Sequence, residues 1–267
     1  MGGPSFGLGP RADAKCWRSS EMTCDGRRME NKAPVDLKKL FGRESALDYD
    51  QGIRRRILGY DSLHEAAHSL LQSQVHESAR ILIAAVGTGQ EAVLCAQAHP
   101  GWKIVGFDPS AEMLELGRKR IAHLGLGGRV QLHQATIDSV PASPPFNAAT
   151  ALLVMHFLPD DGSKLALLRG LAGRLEPGAT FILADMTGEP GSPDFETLFA
   201  AWKVYWRRAH DPSVDDVAME KEFAARRSRA GWIDEARHLE LFAQAGFIAP
   251  VRIWSSLLFC AWAMRRA

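Results

Sequence analysis

The sequence predicts an α/β fold: a doubly wound, mostly parallel sheet of seven strands, with an N-terminal helical segment before it and a helical insertion after strand five. Three observations carry this expectation. From residue 80 to residue 185, short apolar runs alternate with stretches of helical periodicity. The first run, Ile81-Leu82-Ile83-Ala84-Ala85-Val86, is apolar throughout and ends at Gly87-Thr88-Gly89, as a strand buried on both faces and closed by a tight turn requires. After Asp185 the alternation is broken by an aromatic and basic stretch, and the chain then closes on two β-rich segments.

Residues 36–74 read as helices with an arginine-rich turn between them, and the first strand spans 80–86. A helix over 91–98 stops at His99-Pro100-Gly101, and the second strand, 103–107, ends at Asp108. Ser110 is a natural N-cap for a helix over 110–124 with Gly125 as its stop, and 129–133 gives the third strand. The fourth strand is expected at 148–154. A helix over 162–175 is expected to stop at Glu176-Pro177-Gly178, and the fifth strand at 180–185. The insertion, about 195–232, holds helices over 195–209 and 214–230. A helix over 234–245 and an antiparallel pair, 248–253 and 257–264, end the chain. Residues 1–33 are expected to be a disordered extension and 34–267 a single domain.

Composition narrows the function. Hydrophobic residues make up 46% and charged residues 24% of the 267, which excludes collagen, wholesale disorder and a disulfide scaffold. Lys and Arg (32) nearly balance Asp and Glu (31), so no global field draws the protein to nucleic acid or to an anionic membrane. Cys16, Cys24, Cys95 and Cys260 form no C-x-x-C pair, against a zinc ribbon and in keeping with a reducing cytoplasm. No apolar run approaches the ~20 residues that cross a bilayer.

Three motifs compete for the chemistry. In Gly87-x-Gly89-x-x-Ala92, with Asp108 closing the next strand, the glycines let the backbone approach a ligand and the carboxylate accepts hydrogen bonds from ribose hydroxyls. That arrangement suits any adenosine cofactor. The second motif, His64-Glu65-Ala66-Ala67-His68, is a literal H-E-x-x-H, which on a helix places both histidines on one face with Glu65 as base. A zinc hydrolase also needs a third ligand, and Gln74 stands where a metzincin has histidine, so no metal site is assigned. The third is the cluster Trp202, Tyr205, Trp206, Arg207, Arg208, Arg226, Arg227, Arg229 and Trp232. Its helical spacing fits a core-facing stripe, or a lid whose aromatics stack on a substrate while an arginine pairs with a carboxylate or phosphate.

Downstream blocks separate the cofactors. Phe107-Asp108-Pro109-Ser110-x-x-Met113-Leu114, the segment from Phe146 through Met155-His156-Phe157-Leu158-Pro159-Asp160, and Arg174-Leu175-Glu176-Pro177-Gly178-Ala179 follow the glycine turn in order. Together they resemble the class I S-adenosylmethionine-dependent methyltransferases, whose Rossmann-like sheet ends on an antiparallel strand. Arg56-Ile57-Leu58-Gly59-Tyr60-Asp61, the insertion and residues 241–247 look most like the carboxy-S-adenosylmethionine synthase-like subgroup. The resemblance implies S-adenosylmethionine as cofactor. Gly87, Thr88 and Gly89, with Ala85 and Val86 before them, would line its methionine side, and Asp108 would hold ribose. Pro109 and Met113 would border adenine, Ala135, Thr136 and Ile137 would meet its edge, and Tyr60, Leu152 and Leu153 would complete the cleft. Ile83, Ala85, Ala135 and Leu152 depart from the family, which carries polar or glycine residues there.

The activity this implies is in-line methyl transfer to a small-molecule acceptor, carboxylated or aromatic, in the cytoplasm, with neither membrane nor nucleic acid as partner. His156 is the candidate base, with Asp185 second, and Arg207 (or Arg208) the arginine that reads a carboxylate. The alternatives are a cofactor-modifying enzyme resembling carboxy-S-adenosylmethionine synthase, the zinc hydrolase, and a non-catalytic adenosine-binding module. The insertion suits a homodimer interface as well as a lid.

Overall fold

A computed structural model describes residues 49–210 and 215–267. The expected extension over 1–33 and the start of the N-terminal helical segment lie outside the described residues. Seven strands form one sheet: β1 (Arg80–Ala84), β2 (Lys103–Asp108), β3 (Val130–Gln134), β4 (Phe146–Leu152), β5 (Leu175–Met186), β6 (Phe247–Ser256) and β7 (Phe259–Arg266). Their order is β3-β2-β1-β4-β5-β7-β6, with β7 antiparallel to both its neighbours. The order reverses between β1 and β4. Open sheets of this kind bind ligands beyond the carboxyl ends of the two strands at such a reversal.

Helices cover both faces: α1 (Tyr49–Arg56), α2 (Tyr60–Gln74), α3 (Gln90–Ala98), α4 (Ala111–His123), α5 (Ser163–Ala172), α6 (Pro193–Ala209), α7 (Asp216–Arg229) and α8 (Glu235–Gln244). The central strand shows why its sequence is continuously apolar. Ile81 and Ile83 enter one core with Leu63, Ala67 and Ala92, while Leu82 and Ala84 enter the other with Leu168, Leu171, Leu241 and Phe242. Each fully buried aliphatic side chain contributes about 1.5–3 kcal/mol, so a polar residue on either face of β1 would be opposed by both layers.

Two expectations are corrected. The helix expected over 162–175 ends at Ala172, and Glu176-Pro177-Gly178 belongs to the start of β5. Leu175 pairs with Phe146, and the ladder then skips before resuming at Ala148 with Thr180, so proline and glycine sit in an exposed irregularity where no ladder hydrogen bond is needed. Strand β4 begins two residues earlier than expected, at Phe146, because Phe146 starts this irregular pairing. It ends at Leu152, and Leu153 turns out of the sheet with φ +62°.

The insertion is strapped to α1. Phe195, Phe199, Trp202 and Trp206 form the buried stripe of α6, and Trp202 meets Phe223 of α7 and Phe259 of β7. Trp202 Nε1–H donates to the Arg56 carbonyl at 2.6 Å, and the Tyr205 hydroxyl donates to the Arg54 carbonyl at 3.0 Å. Both acceptors belong to the last turn of α1, where carbonyls have no partner within the helix. Trp202→Phe should therefore lower stability by about 1–2 kcal/mol through the orphaned carbonyl, and Trp202→Ala by about 3–5 kcal/mol through the cavity. Urea unfolding would check this, and a Trp202→Phe variant as stable as the parent would contradict the hydrogen bond.

Candidate active site

The turn after β1 and the end of β2 are joined by one carboxylate. Gly87 N–H donates to Asp108 Oδ2 at 3.0 Å and Ser110 N–H donates to Oδ1 at 2.8 Å. Gly87 and Gly89 have φ +53° and +76°, a left-handed path that a side chain would strain. Ser110 also caps α4 by accepting from Met113 N–H at 3.3 Å, while Gly89 is the N-cap of α3. Burial raises the Asp108 pKa, and the amides of Ser110 and Gly87 oppose that shift. Each carboxylate oxygen keeps a second lone pair.

These groups fit S-adenosylmethionine. A ribose diol would bond the remaining lone pairs of Asp108. The methionine carboxylate would lie at the positive end of α3, beside Gly87 and Thr88. A Cβ built on Gly87 would meet only Met113 Cε and the Ala85 carbonyl, at 3.8 and 3.9 Å, so there is room for a ligand over the turn. Met113 is buried and Pro109 half-buried beside Asp108. Ala135 N–H donates to the Asp108 carbonyl at 3.1 Å, which brings the 135–137 loop to the same side. Thr136 N–H already donates to Ser139 Oγ at 3.0 Å, and the Ile137 carbonyl accepts from Arg174 at 3.0 Å, so this loop is largely closed on itself.

Helix α1 covers the turn. Thr88 Oγ1 donates to Asp50 Oδ1 at 2.6 Å, and Arg120 pairs with Asp50 while donating to the Thr88 carbonyl at 3.0 Å. Tyr49, its pKa pushed up to about 12 by burial, lies near enough to Asp108 to feel its charge. Tyr60 is buried at the start of α2, edge-on to His64, and is close enough to Tyr49, Asp50 and Glu91 to feel them. Ala85 has φ +50°, a left-handed path that favours glycine, at the position where the resemblance implies one.

A second set of groups meets at the carboxyl ends of β4 and β5. His156, on the 3-10 turn Met155–Phe157, donates from Nδ1 to Asp185 Oδ1 at 2.5 Å, and Met186 N–H donates to the same oxygen at 2.7 Å. Asp185 is buried and its Oδ2 has no partner. Burial alone would raise its pKa, but the charge and hydrogen bond of His156, with Lys164 and His238 nearby, hold it below the usual carboxylate range. Lys164 is fully buried and donates to the Met155 carbonyl at 2.5 Å. Gly231 N–H donates to the His156 carbonyl at 2.7 Å, and a side chain at Gly231 would collide with the Leu158 carbonyl.

His156 and Leu153 border a cavity of about 740 Å³ that is also lined by Tyr49, Arg55, Arg56, Phe157, Met186, Trp202, His210, Glu222, Arg226 and Phe259. The structure thus pairs the two candidate bases, residues 29 apart, because β4 and β5 are adjacent parallel strands that end level. Arg207 is placed elsewhere. It pairs with Glu220 and lies over the Phe223 ring, and it does not line this cavity. The helical period explains the miss: α6 turns Trp202 and Trp206 inward and leaves Arg207 on its outer side. Arg56 and Arg226 are the guanidiniums inside. Arg56 was legible only as part of the α1 turn, and Arg226 as one of several arginines ending α7.

The H-E-x-x-H histidines are separated by burial. His64 is buried with Nε2 unpartnered, whereas His68 Nε2 lies 2.9 Å from His99 Nε2, and His99 stacks on Trp102. Among the described residues, no three or more His, Cys, Asp or Glu side chains are grouped to hold a metal ion. Burial lowers the His64 pKa from 6.5 to about 4. The unfolded chain therefore takes up a proton that the folded one refuses, so stability is full above pH about 6.5 and is lost as pH falls toward 4, by up to about 3 kcal/mol. His64→Leu should flatten that loss in urea unfolding at the two pH values. Equal losses in both proteins would contradict it.

Comparison with known proteins agrees with this geometry. Residues 81–202 match the model of a methyltransferase domain family. The chain is 27% identical, over 62% of its own length and 68% of the relative's, to the ubiquinone/menaquinone biosynthesis C-methyltransferase UbiE of Syntrophotalea carbinolica. It is also 27% identical to UbiE of Cronobacter sakazakii, over 50% of this chain and 51% of that one. Human N-acetylserotonin methyltransferase, solved with S-adenosylmethionine, shares the fold at a TM-score of 0.56 and 14% identity, over 88% of this chain and 60% of that one. No helix among the described residues is long and apolar enough to cross a membrane. Residues 81–202 thus match a methyltransferase domain, and the seven-stranded fold is the one shared with methyltransferases of known structure.

Proposed function

We propose that this protein transfers a methyl group from S-adenosylmethionine to a small-molecule acceptor that loses a proton as it reacts. The observation that carries this reading is the His156–Asp185 pair, whose histidine lines the cavity, at the carboxyl end of the sheet where β1 and β2 present the glycine turn and Asp108. When bound, S-adenosylmethionine supplies an electrophilic methyl carbon on a sulfonium. The protein's share of the work is to hold the acceptor atom about 3 Å from that carbon, in line with the bond that breaks, and to exclude water.

The residues divide that work. Asp108 and the glycine turn hold the nucleoside and the methionine end, and α1, clasped to Thr88 and Arg120 through Asp50, closes over them. The acceptor lies in the cavity against Trp202, Phe157 and Phe259. With Nδ1–H donated to Asp185, His156 keeps Nε2 as a lone pair for the acceptor's proton. Asp185 then stabilises the imidazolium that forms, as a carboxylate does in any His–carboxylate pair. The acceptor's electron pair makes the new bond to carbon, and the old bonding pair stays with sulfur.

Simple transfer is favoured over modification of the cofactor. The latter needed Arg207 or Arg208 to face a carboxylated cofactor; Arg207 is held by Glu220, and neither arginine lines the cavity. The test is release of S-adenosylhomocysteine on a panel of small hydroxylated and amino aromatic acceptors. His156→Gln should slow turnover by about 10²- to 10⁴-fold while leaving the affinity for S-adenosylhomocysteine within about two-fold. An unchanged rate would remove His156 from the reaction. Asp108→Ala should instead weaken cofactor binding by about 1–3 kcal/mol in calorimetry, and an unchanged affinity would remove Asp108 from the nucleoside site.

A further inference from the structure

Among the described residues, the cavity beside His156 is lined by more cationic than anionic side chains. Arg56 and Arg226 line it with Glu222, while Arg55, also at its edge, is exposed. Two guanidiniums against one carboxylate leave one positive charge inside. Glu222 is already engaged by Arg226, whose Nε donates to its Oε1 at 3.0 Å and whose Nη2 lies 2.9 Å from the same oxygen. Arg56 has no salt-bridge partner among the described residues, although Glu222 is near enough to act on its charge. Its Nε is buried without a hydrogen-bond partner, and among the described residues no carboxylate pairs with it.

The two guanidiniums converge on one ring. The Arg56 Cζ lies 5.6 Å and the Arg226 Cζ 5.0 Å from the centroid of Trp206. Ring contact stabilises a cation by about 0.5–2 kcal/mol but satisfies none of its N–H donors. A partly buried guanidinium with an unmet donor and a second cation as neighbour is destabilised until an anion arrives. Burial, then the Arg226 charge, lowers the Arg56 pKa, in keeping with that imbalance.

We propose that the cavity binds a small organic acid whose carboxylate lies between Arg56 and Arg226 and whose apolar body lies against Trp202, Phe157 and Phe259. A single uncompensated charge matches a carboxylate better than a doubly charged phosphate ester, which Glu222 would repel. Planar, two-pronged donation from guanidinium suits the carboxylate's paired oxygens. That this acid is the methyl acceptor rests on the reading given above. That the site selects an anion rests on the cavity alone.

The experiment uses the full chain with S-adenosylhomocysteine present, and follows quenching of tryptophan fluorescence by benzoate, 4-hydroxybenzoate and phenylacetate against their neutral amides and phenyl phosphate. The acids should bind about ten-fold or more tightly than the amides. Arg56→Gln should bring the ratio near one without altering the affinity for S-adenosylhomocysteine. Glu222→Gln, which frees Arg226, should tighten the acids, an effect that a merely structural role for these residues would not produce. Equal binding of acids and amides, no binding by any acid, tighter binding of phenyl phosphate, or a preference that survives Arg56→Gln would each overturn the proposal. If S-adenosylhomocysteine fails to bind while the acid preference holds, the methyl-transfer reading falls and the anion site stands. If it binds and no acid does, the anion site falls alone.

Discussion

The Asp108 carboxylate is the tie on which the site depends. Its two oxygens accept from the amides of Gly87 and Ser110, so one side chain fixes the turn after β1, the end of β2 and the start of α4 relative to one another. A carboxylate held this way is oriented before any ligand arrives. Its remaining lone pairs point where backbone amides do not reach, which is the preorganisation that nucleoside recognition needs. The neighbouring clasp of Asp50 on Thr88 and Arg120 extends the same logic to α1, bringing a cover helix onto the turn through polar bonds.

The ends of β4 and β5 provide the reacting half. Leu153 leaves the sheet with a left-handed backbone, and its N–H donates to the Ala184 carbonyl at 2.6 Å, which sets the His156 turn directly over β5. Asp185 then finds His156 on one side and the buried Lys164 nearby, a group of charges that the core tolerates because each is paired or hydrogen-bonded except Asp185 Oδ2. Gly231 ties the end of the insertion to this turn, so the segment that walls the cavity also steadies the candidate base.

Much of this was legible in the sequence, for identifiable reasons. Parallel strands buried on both faces must be apolar throughout, so β1, β2, β4 and the centre of β5 announce themselves, whereas their order in the sheet, and with it the switch point, is given by the structure. The glycine turn and Asp108 are legible because their backbone requirements restrict residue type. Glu176-Pro177-Gly178 misled because proline and glycine usually end an element, and only the bulge against Phe146 makes room for them in a strand. Arg207 misled for a different reason. Composition places arginines in the insertion, but which of them faces inward depends on how α6 and α7 rotate around Trp206 and Phe223, and on α1, whose Arg56 comes from far earlier in the chain. The His64-x-x-x-His68 spacing does put two imidazoles on one helical face, yet depth in the core then separates them, and spacing carries no record of depth.

The most direct measurement is a crystal structure with S-adenosylhomocysteine bound. The account predicts ribose hydroxyls hydrogen-bonded to the Asp108 carboxylate, the amino-acid end against Gly87 and Thr88, and the sulfur facing the cavity that His156 borders. A nucleoside bound away from Asp108, or a sulfur turned from that cavity, would contradict it.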